Sequence, residues 1–128
     1  MDTDETRKEL NVLSEQIIGA AFEVSNTLGI GFLEKVYERA LQHELGLRGV
    51  AAVTQMPLRV HYKGACVGEY FPDMIVDSRV IVEFKCVKAF APEHMAQCLN
   101  YLRATGLQLA ILLNFQKTRV EVKRVILS

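Results

Sequence analysis

The stretch FPDMIVDSRVIVEFK, residues 71–85, decides the fold of this chain because it predicts a β-hairpin that carries charge. Residues 74–76 and 80–82 are short apolar runs, and the polar segment 77–79 separates them. This is the pattern of two strands joined by a tight turn. Acidic and basic residues flank the two runs, so the hairpin is expected to bring charged side chains into an apolar sheet.

The length of the turn determines which side chains share a face. With a three-residue turn, Val76 pairs with Val80, and Asp73 then falls opposite Glu83, at the roughly 5 Å that lets two carboxylates share a divalent ion. A two-residue turn would shift the register and direct Asp73 to the other face. Lys85 projects on the same face as Glu83. Buried charges are costly unless they pair or hold a metal, and a cation-dependent hydrolytic site would account for them.

Length and composition limit the classes of protein. The chain has 128 residues, half of them hydrophobic, with a formal net charge of zero. We expect one domain over residues 1–128, neither disordered nor a strongly basic nucleic-acid clamp. Residues 1–9 are expected to be a flexible N-terminus, not a signal peptide, and no apolar run approaches the ~20 residues of a membrane span. We therefore expect no membrane partner. The three cysteines lack CxxC spacing and one would be left over from any disulfide pairing, which predicts reduced thiols and a cytoplasmic location.

Hydrophobic periodicity predicts the element order α-α-β-β-β-α-β-β. Apolar residues at three- and four-residue steps indicate helices, whereas alternating or continuous apolar runs indicate strands. The predicted helices cover residues 6–27, 32–45 and 91–104, and the predicted strands cover 56–62, 66–76, 80–87, 107–115 and 119–127. A hairpin meander followed by a helical crossover implies an α/β (α+β) fold with a central mixed sheet flanked by helices.

Polar side chains on two predicted helices are further candidates for a site. His94, Gln97 and Tyr101 share one face of the third helix, and Glu34 and Tyr37 share a face of the second. Each pattern also has a structural interpretation. His94 and Gln97 could cap or bind nearby backbone, Glu34 could be a surface acid, and the two tyrosines could be half-buried packing residues.

The segment GFLEKVY, residues 31–37, resembles the signature that names the GxxExxY proteins. Further motifs of that family follow in order at residues 62–64, 73–76, 82–85, 94–102 and 112–115, so the resemblance covers roughly residues 10–127. The group looks like a compact branch of the PD-(D/E)xK nuclease-like superfamily, whose restriction-endonuclease-like core is αβββαβ. The predicted element order contains that core, with one added N-terminal helix and one added C-terminal strand.

The resemblance implies a metal site at the hairpin. Asp73 and Glu83 would be the metal carboxylates, and the carbonyl of Phe84 a third ligand. Glu34 matches an acidic residue that many superfamily members add to the metal site. Lys85 would orient or deprotonate the attacking water and counter the developing phosphate charge. The implied cofactor is Mg²⁺ or Mn²⁺, and the implied partner is DNA or RNA.

The resemblance also assigns residues around the metal site. Gln97 matches a helix glutamine that often sits beside the lysine, whereas Tyr37, His94 and Tyr101 would line the cleft. The sequence contains no GxSxG, no HExxH and no glycine-rich phosphate loop that would indicate other chemistry.

Three hypotheses from different classes follow. The first is a metal-dependent nuclease that hydrolyses phosphodiester bonds. The second is a nucleic-acid-binding module that keeps the nuclease fold without turnover. The third is a protein-interaction or assembly domain, in which Glu83 and Lys85 form a buried structural pair. A homodimer is compatible with each of them.

Overall fold

The structure, a computed structural model, describes residues 4–127. Over that range it contains three helices, which are α1 (Asp4–Leu28), α2 (Glu34–Leu47) and α3 (Pro92–Thr105). It also contains seven strands, which are β1 (Ala52–Thr54), β2 (Leu58–Tyr62), β3 (Ala65–Tyr70), β4 (Met74–Val76), β5 (Val80–Lys85), β6 (Leu109–Asn114) and β7 (Glu121–Ile126).

The strands form two sheets of different size. Five strands make the central sheet, in the order β1-β4-β5-β6-β7, and β2 pairs with β3 in a separate two-stranded sheet. In the central sheet β5 and β6 are parallel and the other neighbours are antiparallel. Helix α3 makes the crossover between the two parallel strands, as a parallel connection requires. The predicted mixed sheet flanked by helices is therefore confirmed.

Strand β5 separates two hydrophobic clusters because its side chains alternate between the faces of the sheet. Val80, Val82 and Phe84 pack in the cluster that contains the buried faces of α1 and α2. Ile81 packs in the cluster that contains the buried residues of α3. Glu83 and Lys85 continue the row begun by Ile81, so their backbone positions face the α3 side.

The sequence explains where the helices begin and end. Helix α1 buries a stripe at three- and four-residue steps, with Leu13, Ile17 and Val24 among its core residues. Helix α3 begins with Pro92, whose fixed φ suits a first helical turn. It ends at Gly106, which has a φ of +76° and closes the helix in the left-handed conformation that glycine adopts easily.

Apart from the strand predicted over residues 66–76, the predicted elements begin and end within two residues of their bounds in the structure. The strand predicted over residues 66–76 is two strands, since the chain leaves the small sheet at Tyr70 and enters the central sheet at Met74. Pro72 lies in this break and has no N–H to donate to a ladder. Helix α1 begins at Asp4, so residues 4–9, expected in a flexible N-terminus, are helical; residues 1–3 lie outside the described part.

The strand predicted over residues 56–62 begins only at Leu58, after Pro57, and the short strand β1 was not predicted at all.

Within residues 4–127, no helix has the length and apolar character needed to cross a membrane.

Candidate functional site

The β4–β5 hairpin has the register that the site hypothesis requires. Val76 pairs with Val80 across a turn of residues 77–79. The N–H of Arg79 donates to the carbonyl of Val76 at 3.0 Å, which closes the turn. Asp73 lies one residue before the paired segment and therefore falls opposite Glu83, so the predicted odd-length turn is confirmed.

Asp73 and Glu83 are interlocked through the backbone. The N–H of Asp73 donates to Glu83 Oε2 at 2.6 Å, and the N–H of Phe84 donates to Asp73 Oδ2 at 2.8 Å. Each carboxylate thus has one oxygen fixed by a backbone donor, while the other oxygen makes no hydrogen bond within residues 4–127. No buried side-chain oxygen in that range lacks a partner, so the second oxygens reach solvent. The pair presents two oriented carboxylate oxygens to an incoming group.

The electrostatics of this pair favour a positively charged partner. Burial, followed by the charge of Asp73, raises the pKa of Glu83 to about 7. Burial also raises the pKa of Asp73, against the opposing effect of the hydrogen bond from Phe84. Lys85 lowers both pKa values, but it makes no ion pair within 4 Å of another described residue. The two carboxylates therefore lack a neutralising contact from the protein.

Glu34 reaches the same site from the other side of the sheet. It lies in the first turn of α2, and its Oε2 accepts a hydrogen bond from the N–H of Cys86 at 3.0 Å. A pocket of about 520 Å³ is lined by Glu34, Asp73 and Phe84 among others. The side chain of Phe84 is buried in the core. Three of the four residues predicted as metal ligands therefore line one pocket, and Glu83 is linked to it through the hydrogen bond that it accepts from the N–H of Asp73.

Glu38 is a fourth carboxylate at the site, and the sequence interpretation missed it. It lines the same pocket one helical turn after Glu34, is buried, and pairs with Lys35 at 2.7 Å. Its charge contributes to raising the pKa values of both Asp73 and Glu83. The signal was present in the four-residue spacing from Glu34, which places both acids on one helix face.

Asn114 fixes the chain that follows Lys85, and it was noted in the sequence only as part of a motif. Its amide is fully buried, with Oδ1 accepting from the N–H of Val87 at 3.1 Å and Nδ2 donating to the carbonyl of Val87 at 2.7 Å. Nδ2 also lies 3.1 Å from Glu121 Oε1. An amide at the end of an apolar strand therefore anchors the segment where β5 ends.

Tyr37 does not line the cleft, and that prediction is wrong. Its side chain is fully buried and its ring stacks on Phe115 with centroids 4.5 Å apart. Its hydroxyl donates to the carbonyl of Gly29 at 2.7 Å and accepts from the N–H of Phe32 at 3.2 Å. The alternative interpretation, a packing residue, is correct, because these contacts hold the loop that leads into α2.

His94 and Gln97 lie on α3, apart from the pocket at Asp73. His94 Nδ1 accepts from the N–H of Ala91 at 3.0 Å and so caps the helix, as the structural alternative stated. Gln97 Nε2 donates to the hydroxyl of Tyr101 at 2.9 Å, and no hydrogen bond joins it to Lys85 among the described residues. Both side chains, with Tyr101, line a groove between α3 and the small sheet.

A family model of the PD-(D/E)XK nuclease superfamily matches residues 11–125. The chain belongs to this superfamily. The assignment agrees with the acidic pair and the lysine at the end of β5, and it places the chain among nuclease-type hydrolases. No curated protein sequence matches the chain significantly.

Solved structures share the fold of this superfamily member. The alkaline exonuclease LHK-Exo from Laribacter hongkongensis aligns over 100% of this chain and 73% of its own, with a TM-score of 0.55 and 14% identity. The same enzyme in complex with dAMP aligns over 90% and 83%, with a TM-score of 0.51 and 13% identity. The protein SSO0001 aligns over 72% of this chain at 17% identity and a TM-score of 0.53, and the chain spans about half of it (48%). At such identities the likeness shows the fold alone.

PD-(D/E)XK nucleases generally use divalent metal ions, so the donor set here can be compared with what such an ion needs. Residues 4–127 contain no group of three or more His, Cys, Asp or Glu side chains already arranged to hold a metal ion. Mg²⁺ keeps several waters and is usually bound through one or two carboxylates. Asp73 and Glu83, with their outward oxygens and uncompensated charge, fit that smaller set.

Proposed function

We propose that this chain is a nuclease that hydrolyses phosphodiester bonds of nucleic acid with a divalent cation at Asp73 and Glu83. The observation that carries the proposal is the interlocked pair itself. The buried carboxylate of Glu83 and the half-buried carboxylate of Asp73 are each oriented by a backbone N–H, and both have raised pKa values and no ion-pair partner among the described residues. Charge that is buried without a partner lowers the stability of the folded state, so the fold by itself gives no reason for this pair. A bound cation would neutralise the two carboxylates and so stabilise the pair.

The proposed ligands are the outward oxygens of Asp73 and Glu83, the carbonyl of Phe84 and the carboxylate of Glu34, with water completing the shell. Mg²⁺ or Mn²⁺ is the proposed ion, since the donors are all oxygen. When bound, the ion would act as a Lewis acid on a phosphate oxygen and lower the pKa of a water. The nuclease superfamily and the similar fold of an alkaline exonuclease support nucleic acid as the substrate.

Lys85 is proposed to act on the reacting phosphate. Lys85 is half-buried, and its charge acts closely enough to lower the pKa values of Asp73 and Glu83, yet it is not held in an ion pair with another described residue. It can therefore orient the attacking water and place fixed positive charge where negative charge develops on the phosphate. Gln97 would assist from α3 if substrate binding draws it toward this end of β5.

The finer family and the setting of the protein are also proposals. The segment 31–37 supports membership of the GxxExxY branch, and the single central sheet supports one nuclease domain. Cys66, Cys86 and Cys98 are all free thiols, which supports a reducing, cytoplasmic location.

Cleavage of labelled single- and double-stranded DNA and RNA with Mg²⁺ or Mn²⁺ tests the proposal. Wild type should cleave at least one substrate, and Asp73→Asn and Lys85→Met should each lose about 100-fold or more of the rate. Lys88→Met is the matched control, because Lys88 is exposed three residues further on, and it should retain the rate.

The same variants separate the nuclease from its alternatives. If Lys85 were half of a structural ion pair, Lys85→Met should lose several kcal/mol of unfolding free energy, whereas the proposal expects it to stay folded and inactive. No cleavage by folded wild type with either ion would refute the proposed activity and favour a binding or assembly domain. Equal cleavage by all variants would show that Asp73 and Lys85 do not form the active site.

A further inference from the structure

A second groove, of about 840 Å³, lies between the β2–β3 hairpin and α3. One wall comes from the hairpin and the other from the face of α3 that carries Gln97 and Tyr101. The small side chains of Ala96 and Ala104 leave space along the helix wall. The volume falls in the range of ligand-binding pockets in proteins, which is about 300–1,000 Å³.

Tyr101 lines this groove and packs in the same hydrophobic cluster as Ile81, on the face of β5 that also carries Glu83. Its ring meets Tyr70 of the hairpin edge to face, with centroids 6.0 Å apart, and its hydroxyl accepts from Gln97. Burial, and after it the charges of Glu83 and Asp73, raise the pKa of Tyr101 to about 12. Tyr101 therefore lines the groove and also lies within electrostatic reach of both carboxylates.

The side chains that line the groove match the parts of a nucleotide. The ring of Tyr70 is half exposed and offers an aromatic surface to a base. Asn100 is an exposed amide that can read a base edge, and it also accepts from Arg103 at 3.2 Å. Arg59 and Arg103 supply two guanidinium groups against the one carboxylate of Glu93 in the lining; Arg59 also pairs with the exposed Glu69 at 3.2 Å.

We propose that this groove binds an unpaired nucleotide adjacent to the phosphate that is cleaved, with its base against Tyr70. The inference rests on the proposed nuclease function and assigns its substrate class. A base within a duplex is stacked on both faces and paired at its edge, so it can enter a side groove only after it leaves the helix. A single strand has no such cost, and aromatic stacking is largely independent of sequence. The protein should therefore prefer single-stranded over blunt double-stranded nucleic acid.

Binding measured without a metal tests the subsite apart from catalysis. Fluorescence anisotropy in EDTA would compare labelled DNA and RNA single strands of about 12 nucleotides with blunt duplexes of the same sequence. Tyr70→Ala should weaken single-strand binding about fivefold to about 100-fold, as expected for the loss of one base-stacking contact. Tyr62→Ala is the matched control, because Tyr62 is an exposed tyrosine of the same hairpin outside the groove, and it should bind as wild type does.

A second variant fills the groove without removing a contact. Ala104→Leu adds bulk to an exposed helix position that lines the groove, and alanine and leucine have similar helix propensity, so the fold should be kept. It should weaken single-strand binding as Tyr70→Ala does. Tighter binding of the duplex, or equal binding by wild type, Tyr70→Ala and Ala104→Leu, would overturn the inference. So would equal losses in Tyr62→Ala and Tyr70→Ala.

The two proposals can fail separately. Metal-dependent cleavage that is equal in wild type, Tyr70→Ala and Ala104→Leu, with unchanged binding, would leave the nuclease standing and remove the subsite. Binding of single strands that depends on Tyr70, without cleavage under any metal, would support the subsite and refute the nuclease. Whichever of DNA and RNA binds in a Tyr70-dependent manner is the class that the groove accepts.

Discussion

The raised pKa of Glu83 makes the stability of the protein depend on pH in a direction opposite to that of a carboxylate whose pKa folding lowers, such as one held in a salt bridge. In the folded protein this pKa is about 7, against 4.5 for an unperturbed glutamate. Between those values the folded state holds a proton that the unfolded state has released. The free energy of unfolding should therefore be fully retained below about pH 4.5 and fall as the pH rises toward about 7.

The size of the effect follows from the same two values. At about 1.36 kcal/mol for each pH unit over which the proton numbers differ, ionisation of Glu83 should cost about 3 kcal/mol of unfolding free energy. Glu83→Gln keeps the shape of the side chain and an oxygen that can accept from the N–H of Asp73, but it cannot ionise. Relative to wild type, the variant should gain about 3 kcal/mol between about pH 4 and about pH 8.

Urea unfolding of both proteins across this pH range is the assay, since the remaining titratable groups are common to both. Glu15→Gln is the control, because Glu15 is an exposed acid on α1, and its curve should follow that of wild type. Parallel curves for wild type and Glu83→Gln would refute the reasoning that burial and Asp73 destabilise the ionised carboxylate.

Three further changes test individual contacts. Glu38→Gln removes a negative charge that raises the pKa of both carboxylates, so the loss of stability with pH should be smaller and should end at a lower pH than in wild type; an unchanged urea profile would contradict this. Tyr37→Phe leaves a carbonyl and an N–H of the α1–α2 loop without their partner, so it should lower the free energy of unfolding in urea by about 1–2 kcal/mol. An unchanged free energy of unfolding would be the result for a residue that only lines a cleft. Asn114→Leu leaves the backbone N–H and carbonyl of Val87 without the side-chain amide that bonds them, so it should lower the free energy of unfolding by about 2 kcal/mol or more. A thermal midpoint equal to that of wild type would exclude the anchoring role of Asn114.

The hairpin could be predicted from the sequence because the two-residue period of a strand permits few alternatives. Once Val76 pairs with Val80, the faces of Asp73, Glu83 and Lys85 follow without any knowledge of the rest of the molecule. The parallel pairing of β5 with β6 could be predicted for a related reason, since a helical crossover leaves one favoured arrangement. The predicted meander was only partly right, because β2 and β3 form a separate sheet and β1 pairs with β4.

The features that the sequence analysis predicted wrongly or missed depend on contacts between elements, which a local sequence pattern does not specify. The three-residue spacing predicts that Glu34 and Tyr37 lie on one face of α2. In the structure Glu34 lines the pocket whereas Tyr37 is buried in the core, because the edge of the contact between α2 and the sheet lies between these two positions. Glu38 was missed because an acid in a helix is normally a solvated one, and only the tertiary structure buries it against the site. Strand β1 has three residues and gains its stability from pairing with β4, so it has almost no local signal.

The central claim is that Asp73 and Glu83 form a cation site, and direct measurement of binding tests it without reference to a substrate. Isothermal titration calorimetry with Mg²⁺ and Mn²⁺ at about pH 8, where Glu83 is ionised, should detect an ion bound to wild type. Asp73→Asn and Glu83→Gln should each bind about tenfold more weakly or worse, while Glu15→Gln should bind as wild type does. Unchanged binding in both site variants, or no binding by folded wild type at millimolar ion, would contradict the account.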